Sequence, residues 1–349
     1  MNCLIYGAGS LGTVLGAYLW KNNCPVTLCS RNKEHVAALN ERGAVITGTE
    51  AFTQPVKAVL PTELCGEYDI IFLLTKQNEN EKTALFLKQF LSEDGILVTF
   101  QNGIPEPALR EILGPKHVLG CIVEWGATLM EPGHCEITSG RNCFVFRLEK
   151  NEQANAAVTY EIMRLLTKMC DVEWEENFDG VRWSTLLITA TFSGLGTVIG
   201  GHFGDVYKTA RGRDIAARCV KECIDVARAA GVRIAKVQGI DITKLFYYKT
   251  GIGRLRSRLL IPIALKSARM IYPSMLQDLE KGKRCEIASI VGLVALYGEL
   301  YFVKTPVCNH IVEIVREAEE QIIKAAPKER MACLKACLNQ NNLGKFTEK

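Results

Sequence analysis

The first twelve residues restrict the fold of this chain more than any other stretch. Asn2-Cys-Leu-Ile-Tyr6 reads as a short apolar strand, and Gly7-Ala8-Gly9-Ser10-Leu11-Gly12 follows it without a break. Leu11, Val14, Leu15, Tyr18 and Leu19 then recur at the spacing of one buried helical face. A GxGxxG on its own is weak evidence; between a strand and a helix it predicts a dinucleotide cradle. The first glycine permits the tight turn, the second lets a pyrophosphate approach the backbone, and the third lets the helix pack closely on the sheet.

The choice of dinucleotide is made at the end of the next strand, where an acidic side chain would bind the ribose hydroxyls of NAD. No acid stands there. The strand Pro25-Val-Thr-Leu-Cys29 runs into Ser30-Arg31-Asn32-Lys33. A guanidinium and a hydroxyl suit a 2′-phosphate through charge-assisted, bidentate bonds, so Arg31 predicts NADP as the cofactor. The plainer reading of Arg31 and Lys33 is a solvated first turn of the following helix, and Glu34 nearby keeps NAD open.

Up to about residue 171 the chain alternates short apolar runs with helical ones. Strands are expected at 45–47, 56–60, 69–74, 96–100 and 143–146, and helices at 33–42, 78–91, 105–113 and 153–169. Such alternation implies a mainly parallel sheet covered on both faces. Beyond residue 177 the strands stop and long helical patterns take over at 178–199, 210–230, 272–300 and 306–325, the last opened by Thr305 as N-cap and Pro306 in the first turn. The fold class is therefore α/β, a Rossmann-type doubly wound sheet followed by an all-helical C-terminal domain. Its expected divisions are residues 1–175, 176–327, and a peripheral tail at 328–349.

With 349 residues and 48% hydrophobic content, two domains can each bury a core. The formal charge of +4 is small and interspersed, which argues against nucleic-acid or membrane partners. The run 186–201 is interrupted by Thr, Ser and Gly and reads as a core helix, not a membrane span. Fourteen scattered cysteines with no CxxC, and no secretory leader ahead of the first strand, suit reduced thiols in a cytoplasmic protein. Cys219/Cys223 and Cys333/Cys337 each share a helical face, but with no histidine or third cysteine alongside them in the sequence no metal site is expected.

Ligands of doubly wound sheets occupy the crevice at the carboxyl ends of the strands. Two expected strands end there in Thr75-Lys76-Gln77-Asn78 and Gln101-Asn102-Gly103. A lysine and an amide in those places can hold a ribose, a carboxamide or a substrate carbonyl; helix capping by Asn78 and an Asx turn at Asn102 are the structural alternatives. Further on, Glu286 opens an uncharged run from 287 to 298 and would share a helical face with Ile290, Leu293 and Val294. Burial would raise the pKa of such a carboxyl and a cation would lower it.

On these residues the chain resembles the ketopantoate reductase family, which reduces 2-dehydropantoate with NADPH. The resemblance is carried by Gly7 to Gly12, Arg31, Lys76, Gln101-Asn102-Gly103, Trp125-Gly-Ala-Thr-Leu-Met-Glu-Pro-Gly133, and Pro273-Ser-Met-Leu-Gln-Asp278 followed by Gly282-Lys-Arg-Cys-Glu-Ile287. It implies substrate carboxylate binding by Ser274, a cofactor or hydroxyl contact for Glu286, and a cofactor contact at Ala127. It also exposes a departure. Family members follow a tryptophan with lysine, asparagine and asparagine at spacings of four. Here Trp183 is followed by Thr185, Thr189 and Ser193.

The family lysine gives a proton to the developing alkoxide, and an alcohol cannot do so near neutral pH, although it can donate a hydrogen bond. Back-bonding to helical carbonyls is the structural alternative for the three hydroxyls. Lys76 is the best remaining ammonium, ahead of Lys266 and Arg269, which lie in a basic segment, 244–272, longer than the family pattern. The expectation is an NADP-dependent reductase of a 2-oxo acid, converting 2-dehydropantoate to (R)-pantoate, with the substrate in a cleft between the domains bounded by Lys76, Asn102, Thr185, Thr189, Ser193, Ser274 and Glu286. The alternatives are a reductase of another 2-oxo acid or an imine, and a nonenzymatic NADP-binding sensor. The implied partners are the small-molecule oxo acid and, as one arrangement, a second copy of the chain in a homodimer.

Overall fold

The computed structural model describes residues 1–237 and 239–346. The chain divides into two compact units, Met1–Phe178 and Asp179–Lys349.

The first unit runs through β1 (Cys3–Tyr6), α1 (Ser10–Lys21), β2 (Thr27–Cys29), α2 (Lys33–Arg42), β3 (Ala44–Gly48), β4 (Phe52–Gln54), β5 (Lys57–Val59), β6 (Tyr68–Leu73), α3 (Asn80–Lys88), β7 (Leu91–Thr99), α4 (Glu106–Leu113), β8 (Val118–Val123), β9 (Ala127–Glu131), β10 (His134–Ile137), β11 (Val145–Glu149), α5 (Ala156–Leu166) and β12 (Asp171–Glu175). Eight strands form one sheet in the order β12-β11-β8-β7-β6-β1-β2-β5. The six from β8 to β5 are mutually parallel, and β11 joins β8 antiparallel. The strand order reverses between β1 and β6, which makes the gap beyond their carboxyl ends the switch point of the sheet.

The central strands read as apolar runs because both of their faces are covered. Ile5, Ile70, Phe72, Ile96 and Val98 belong to the core on one side, and Leu4, Ile71, Leu73 and Leu97 to the core on the other. Each such side chain is fully buried, a contribution of about 1.5–3 kcal/mol apiece before entropy is counted.

The strand expected at 45–47 is not part of this sheet. β3 pairs with β4 and β10 in a separate four-stranded sheet, β4-β3-β10-β9, which packs on α1, with Phe52 set edge-on to Tyr18 at 5.1 Å between ring centroids. Gly43, just before β3, and Gly48, its last residue, take φ of +79° and +94°, which only glycine adopts readily.

Helices make up the second unit: α6 (Phe178–Ile188), α7 (Gly194–Ile199), α8 (Phe203–Val206), α9 (Ala210–Ala229), α10 (Ile242–Phe246), α11 (Gly251–Ala264), α12 (Ser274–Glu280), α13 (Val291–Leu300), α14 (Pro306–Lys324) and α15 (Arg330–Cys337). A π turn, Thr189–Ser193, joins α6 to α7 in place of the uninterrupted helix expected at 178–199. The single helix expected at 272–300 is broken into α12 and α13 by a turn at Gly282, whose φ is +66°. No helix among the described residues is long and apolar enough to cross a membrane.

As expected, Thr305 takes the N-cap position of α14 and Pro306 its first turn, but the Thr305 side chain makes no capping bond; the buried Glu222 carboxylate of α9 accepts from the Val307 and Cys308 amides instead, each at 2.9 Å. The peripheral tail expected at 328–349 carries α15 and packs on the helical unit as far as residue 346. Leu334, Leu338, Leu343 and Phe346 are buried, and Asn342 donates to the Val198 carbonyl at 2.9 Å. Residues 347–349 of that expected tail lie outside the described residues.

Candidate functional site

The glycine turn lies at the switch point, and each glycine does something different there. Gly7 takes a φ of +101°, and a Cβ on it would meet the Thr75 amide nitrogen at 2.6 Å, so its bareness lets the ends of β1 and β6 come together. Gly12 allows α1 to sit on the strand, since a Cβ would stand 2.6 Å from the Gly7 carbonyl oxygen and 3.0 Å from Ile5 Cγ2. Gly9 differs: a Cβ there would meet nothing within 4 Å. Open space in front of Gly9, and a helix start that no side chain caps, fit the pyrophosphate of a dinucleotide, whose charge is favoured by the amides and the dipole of α1. Ala8, Ser10 and Leu11 complete the loop, which is tied to β2 through the Gly7 and Ala8 amides donating to the Cys29 carbonyl at 3.0 and 2.8 Å.

Arg31 follows β2 on the same rim. Its guanidinium donates to Glu79 at 2.8 Å, and both side chains are open to solvent. Asn32, next to it, caps α2 by accepting from the His35 amide at 3.2 Å. His35 is a supporting residue that sequence reasoning missed. It is buried, takes the Gly133 amide proton on Nδ1 at 2.9 Å, and so presents Nε2–H to Thr13 Oγ1 at 3.0 Å. The ring thereby locks α1, α2 and the β9–β10 turn, and burial holds its pKa below the ordinary histidine value. No local pattern singles it out, since its partners lie 22 and 98 residues away.

Lys76 and Asn102 occupy the segments just after β6 and β7 and are exposed. What holds these segments is Gln101. Its Nε2 donates to the Thr75 carbonyl at 2.9 Å and to Asn80 Oδ1 at 2.7 Å, while its Oε1 accepts from Thr99 Oγ1 at 3.1 Å and Asn80 Nδ2 at 3.0 Å. Every hydrogen-bonding position of that buried amide is used, so the strand ends are clamped to one another. Gln77 adds a bond to the Asn102 carbonyl, and Gly103 makes its turn at φ +77°. Ala127, the first residue of β9, is half-buried and pairs with Ile137.

In the helical unit, Thr185, Thr189 and Ser193 lie along α6 and the π turn. Thr189 donates its hydroxyl proton back to the Thr185 and Leu186 carbonyls at 2.9 and 3.2 Å, leaving its oxygen able only to accept. Thr185 is half-buried and Ser193 is buried. The chain beyond is drawn onto the same helix by two glycines. A Cβ on Gly196 would strike Pro273 Cγ at 2.7 Å, and one on Gly194 would stand 3.0 Å from Val291 Cγ2. These contacts bring Ser274, exposed in the first turn of α12, and the segment leading into α13 to the Ser193 end of that helix.

Glu286 is 5% exposed and lies in that segment, not on α13. The helical face it was expected to share with Ile290, Leu293 and Val294 therefore does not form. Its carbonyl accepts from the Ile290 amide at 3.0 Å, so it belongs to the turn that starts α13. Trp183 braces the assembly from α6, edge-on to Tyr297 of α13 at 5.6 Å.

Two family models match in succession: "Ketopantoate reductase PanE/ApbA" over residues 3–147 and its C-terminal counterpart over 177–319. A 2-dehydropantoate 2-reductase of Pyrococcus horikoshii is 28% identical over 333 residues, covering 92% of this chain and 98% of that one. Among solved structures, a PanE/ApbA family ketopantoate reductase of Ralstonia eutropha superimposes with a TM-score of 0.77 at 22% identity, over 92% of this chain and 99% of its own. D-mandelate dehydrogenase, solved with NADH and anilino(oxo)acetate, gives the same score, identity and coverage.

Proposed function

Because this chain belongs to the ketopantoate reductase family, we propose that it reduces 2-dehydropantoate to (R)-pantoate with NADPH. The observation that carries the reading is the glycine cradle at the sheet's switch point, open at Gly9 and flanked by Arg31. NADPH, when bound, supplies the hydride. The loop Gly7 to Gly12 and the start of α1 bind its pyrophosphate, Arg31 takes its 2′-phosphate in exchange for Glu79, and Ala127 lends a cofactor contact.

Reduction of the carbonyl also needs a proton on oxygen and a grip on the carboxylate. Lys76 provides the proton and Asn102 orients the carbonyl, with Gln101 fixing the segments that carry both. Ser274 binds the carboxylate and Glu286 the nascent hydroxyl. Thr185, Thr189 and Ser193 contribute hydrogen bonds, not protons, because a threonine or serine hydroxyl is far too weak an acid.

A second reading has its own support. Glu79 beside Arg31 supplies a carboxylate for the ribose hydroxyls, and a structural neighbour, D-mandelate dehydrogenase, was solved with NADH and anilino(oxo)acetate. In that reading the chain reduces another 2-oxo acid with NADH. The test is to mix the purified protein with NADPH or NADH and a panel of 2-oxo acids and follow nicotinamide oxidation. Consumption of NADPH with 2-dehydropantoate is expected, and Lys76→Ala is expected to lower kcat much more than it weakens NADPH binding. Oxidation of NADH by a different oxo acid would move the assignment to the second reading. Binding without any oxidation would make the chain a nicotinamide sensor and end both.

A further inference from the structure

Apart from these residues, the helical unit gathers three cysteines that are distant in sequence. Cys219 and Cys223 lie a turn apart on α9, Cys308 stands in the first turn of α14, and all three are fully buried. The absence of a third cysteine beside Cys219 and Cys223, expected from the sequence, is thus corrected by the fold. The three sulfur atoms lie within 4.8 Å of one another, with Cys219 and Cys308 at 3.8 Å. Two thiolates bound to one tetrahedral zinc ion at about 2.3 Å stand about 3.8 Å apart.

A fourth group points to the same place. Thr191 is wholly buried in the π turn, and its hydroxyl faces the Cys219 sulfur. Thr189 and Thr197, its neighbours in the helix, donate back to carbonyls at 2.9 and 2.8 Å. Apart from its approach to the Cys219 sulfur, Thr191 Oγ1 finds no hydrogen-bond partner among the described residues. Buried hydroxyls are rarely left so, and π turns recur at functional sites.

We infer that Cys219, Cys223, Cys308 and Thr191 form a binding site for one zinc ion, three thiolates and a neutral hydroxyl completing a tetrahedron. Three thiolates carry three negative charges. A divalent ion leaves one of them uncompensated in the buried site and a monovalent ion would leave two, so zinc is favoured over copper(I). With four protein ligands and no open position, the ion would be structural, pinning α9, α14 and the π turn together. Its binding releases three protons as three thiols become thiolates, and loading accompanies folding or local opening because the site is closed.

The test uses the full chain carrying Cys333→Ser and Cys337→Ser, because that partly exposed pair, 3.9 Å apart, could itself bind metal. After purification with zinc and dialysis against a weak chelator, elemental analysis is expected to find a single zinc per chain. Loss of that zinc on adding Cys308→Ala, with the circular dichroism spectrum preserved, is the expected confirmation. Zinc at about a hundredfold excess over Kd should raise the unfolding midpoint by about 5 °C or more. Cobalt(II) in place of zinc should show thiolate charge-transfer bands and tetrahedral ligand-field bands, altered by Thr191→Val. The inference is overturned if no zinc is retained, or if Cys219→Ala and Cys308→Ala retain as much as their parent. Should both variants fail to fold, the cobalt spectrum of the parent decides: without tetrahedral thiolate bands, the three cysteines are only small apolar side chains in a core.

Discussion

Replacing Arg31 by alanine separates the 2′-phosphate from everything else about the cofactor. In the free protein the guanidinium pairs with Glu79 at 2.8 Å, with the two side chains 74% and 50% exposed. An ion pair so open to water is worth about 0–1 kcal/mol. A charge-assisted bond from Arg31 to a 2′-phosphate is worth about 1.5–3 kcal/mol, so the phosphate outcompetes Glu79 for the guanidinium. Arg31→Ala should therefore weaken NADPH about 10- to 100-fold and NADH by less than about twofold. Glu79→Gln should tighten NADPH by up to about fivefold, most clearly at low salt, because it removes both a competitor and a repelling charge. Fluorescence titration of the reduced nucleotides reads both. An equal loss of NADPH and NADH affinity in Arg31→Ala would refute the assignment of the phosphate to Arg31. Weakened NADH binding in Glu79→Gln would assign that carboxylate to ribose hydroxyls.

Gly9→Ala should fold normally, since its Cβ enters open space, yet lose most nucleotide binding; Gly12→Ala should lower stability by about 1–3 kcal/mol because its Cβ would crowd the Gly7 carbonyl and Ile5, as thermal unfolding will show. If the two variants behave alike, the different purposes given to those glycines are wrong. Burial first, and the Cys219 sulfur next, push the Glu222 carboxyl up from 4.5 to about 7, against the pull of the two α14 amides. Between those values the folded helical unit keeps a proton that the unfolded chain has released, so this contribution is present at pH 4.5 and is lost as pH rises through 7, up to about 3 kcal/mol in all. In the metal-free protein the urea midpoint of the helical unit's transition should fall as pH rises from about 5 to about 7.5, and Glu222→Gln should flatten the slope; a rising midpoint would refute the sign. His35, with its pKa lowered by burial, acts the other way in the first unit, costing stability as pH falls below its unfolded value of 6.5.

What the sequence discloses depends on how local the cause is. The strand, glycine turn and helix at the start are readable because every residue that makes them lies within twenty positions. Lys76 and Asn102 are likewise placed by the strands they follow. The carboxylate that holds Arg31 is 48 residues away and has no pattern of its own. Gln101 reads as one amide in a loop, and only the pairing of β6 with β7 turns it into a clamp. β3 and β4 are too short, at five and three residues, to declare which sheet they join. Glu286 reads as helical because it opens an uncharged run, whereas the chain spends 286–290 turning. Cys308 lies 85 residues from Cys223, a distance that only helix packing closes.

The docking of Asn342 on Val198 ties the order of synthesis to the order of folding. The helix around Val198 is translated some 144 positions earlier, and until residues 334–346 have left the ribosome one of its flanks stays uncovered. A nascent chain stalled before residue 334 should thus hold a finished nucleotide-binding unit joined to a helical unit still open to chaperones.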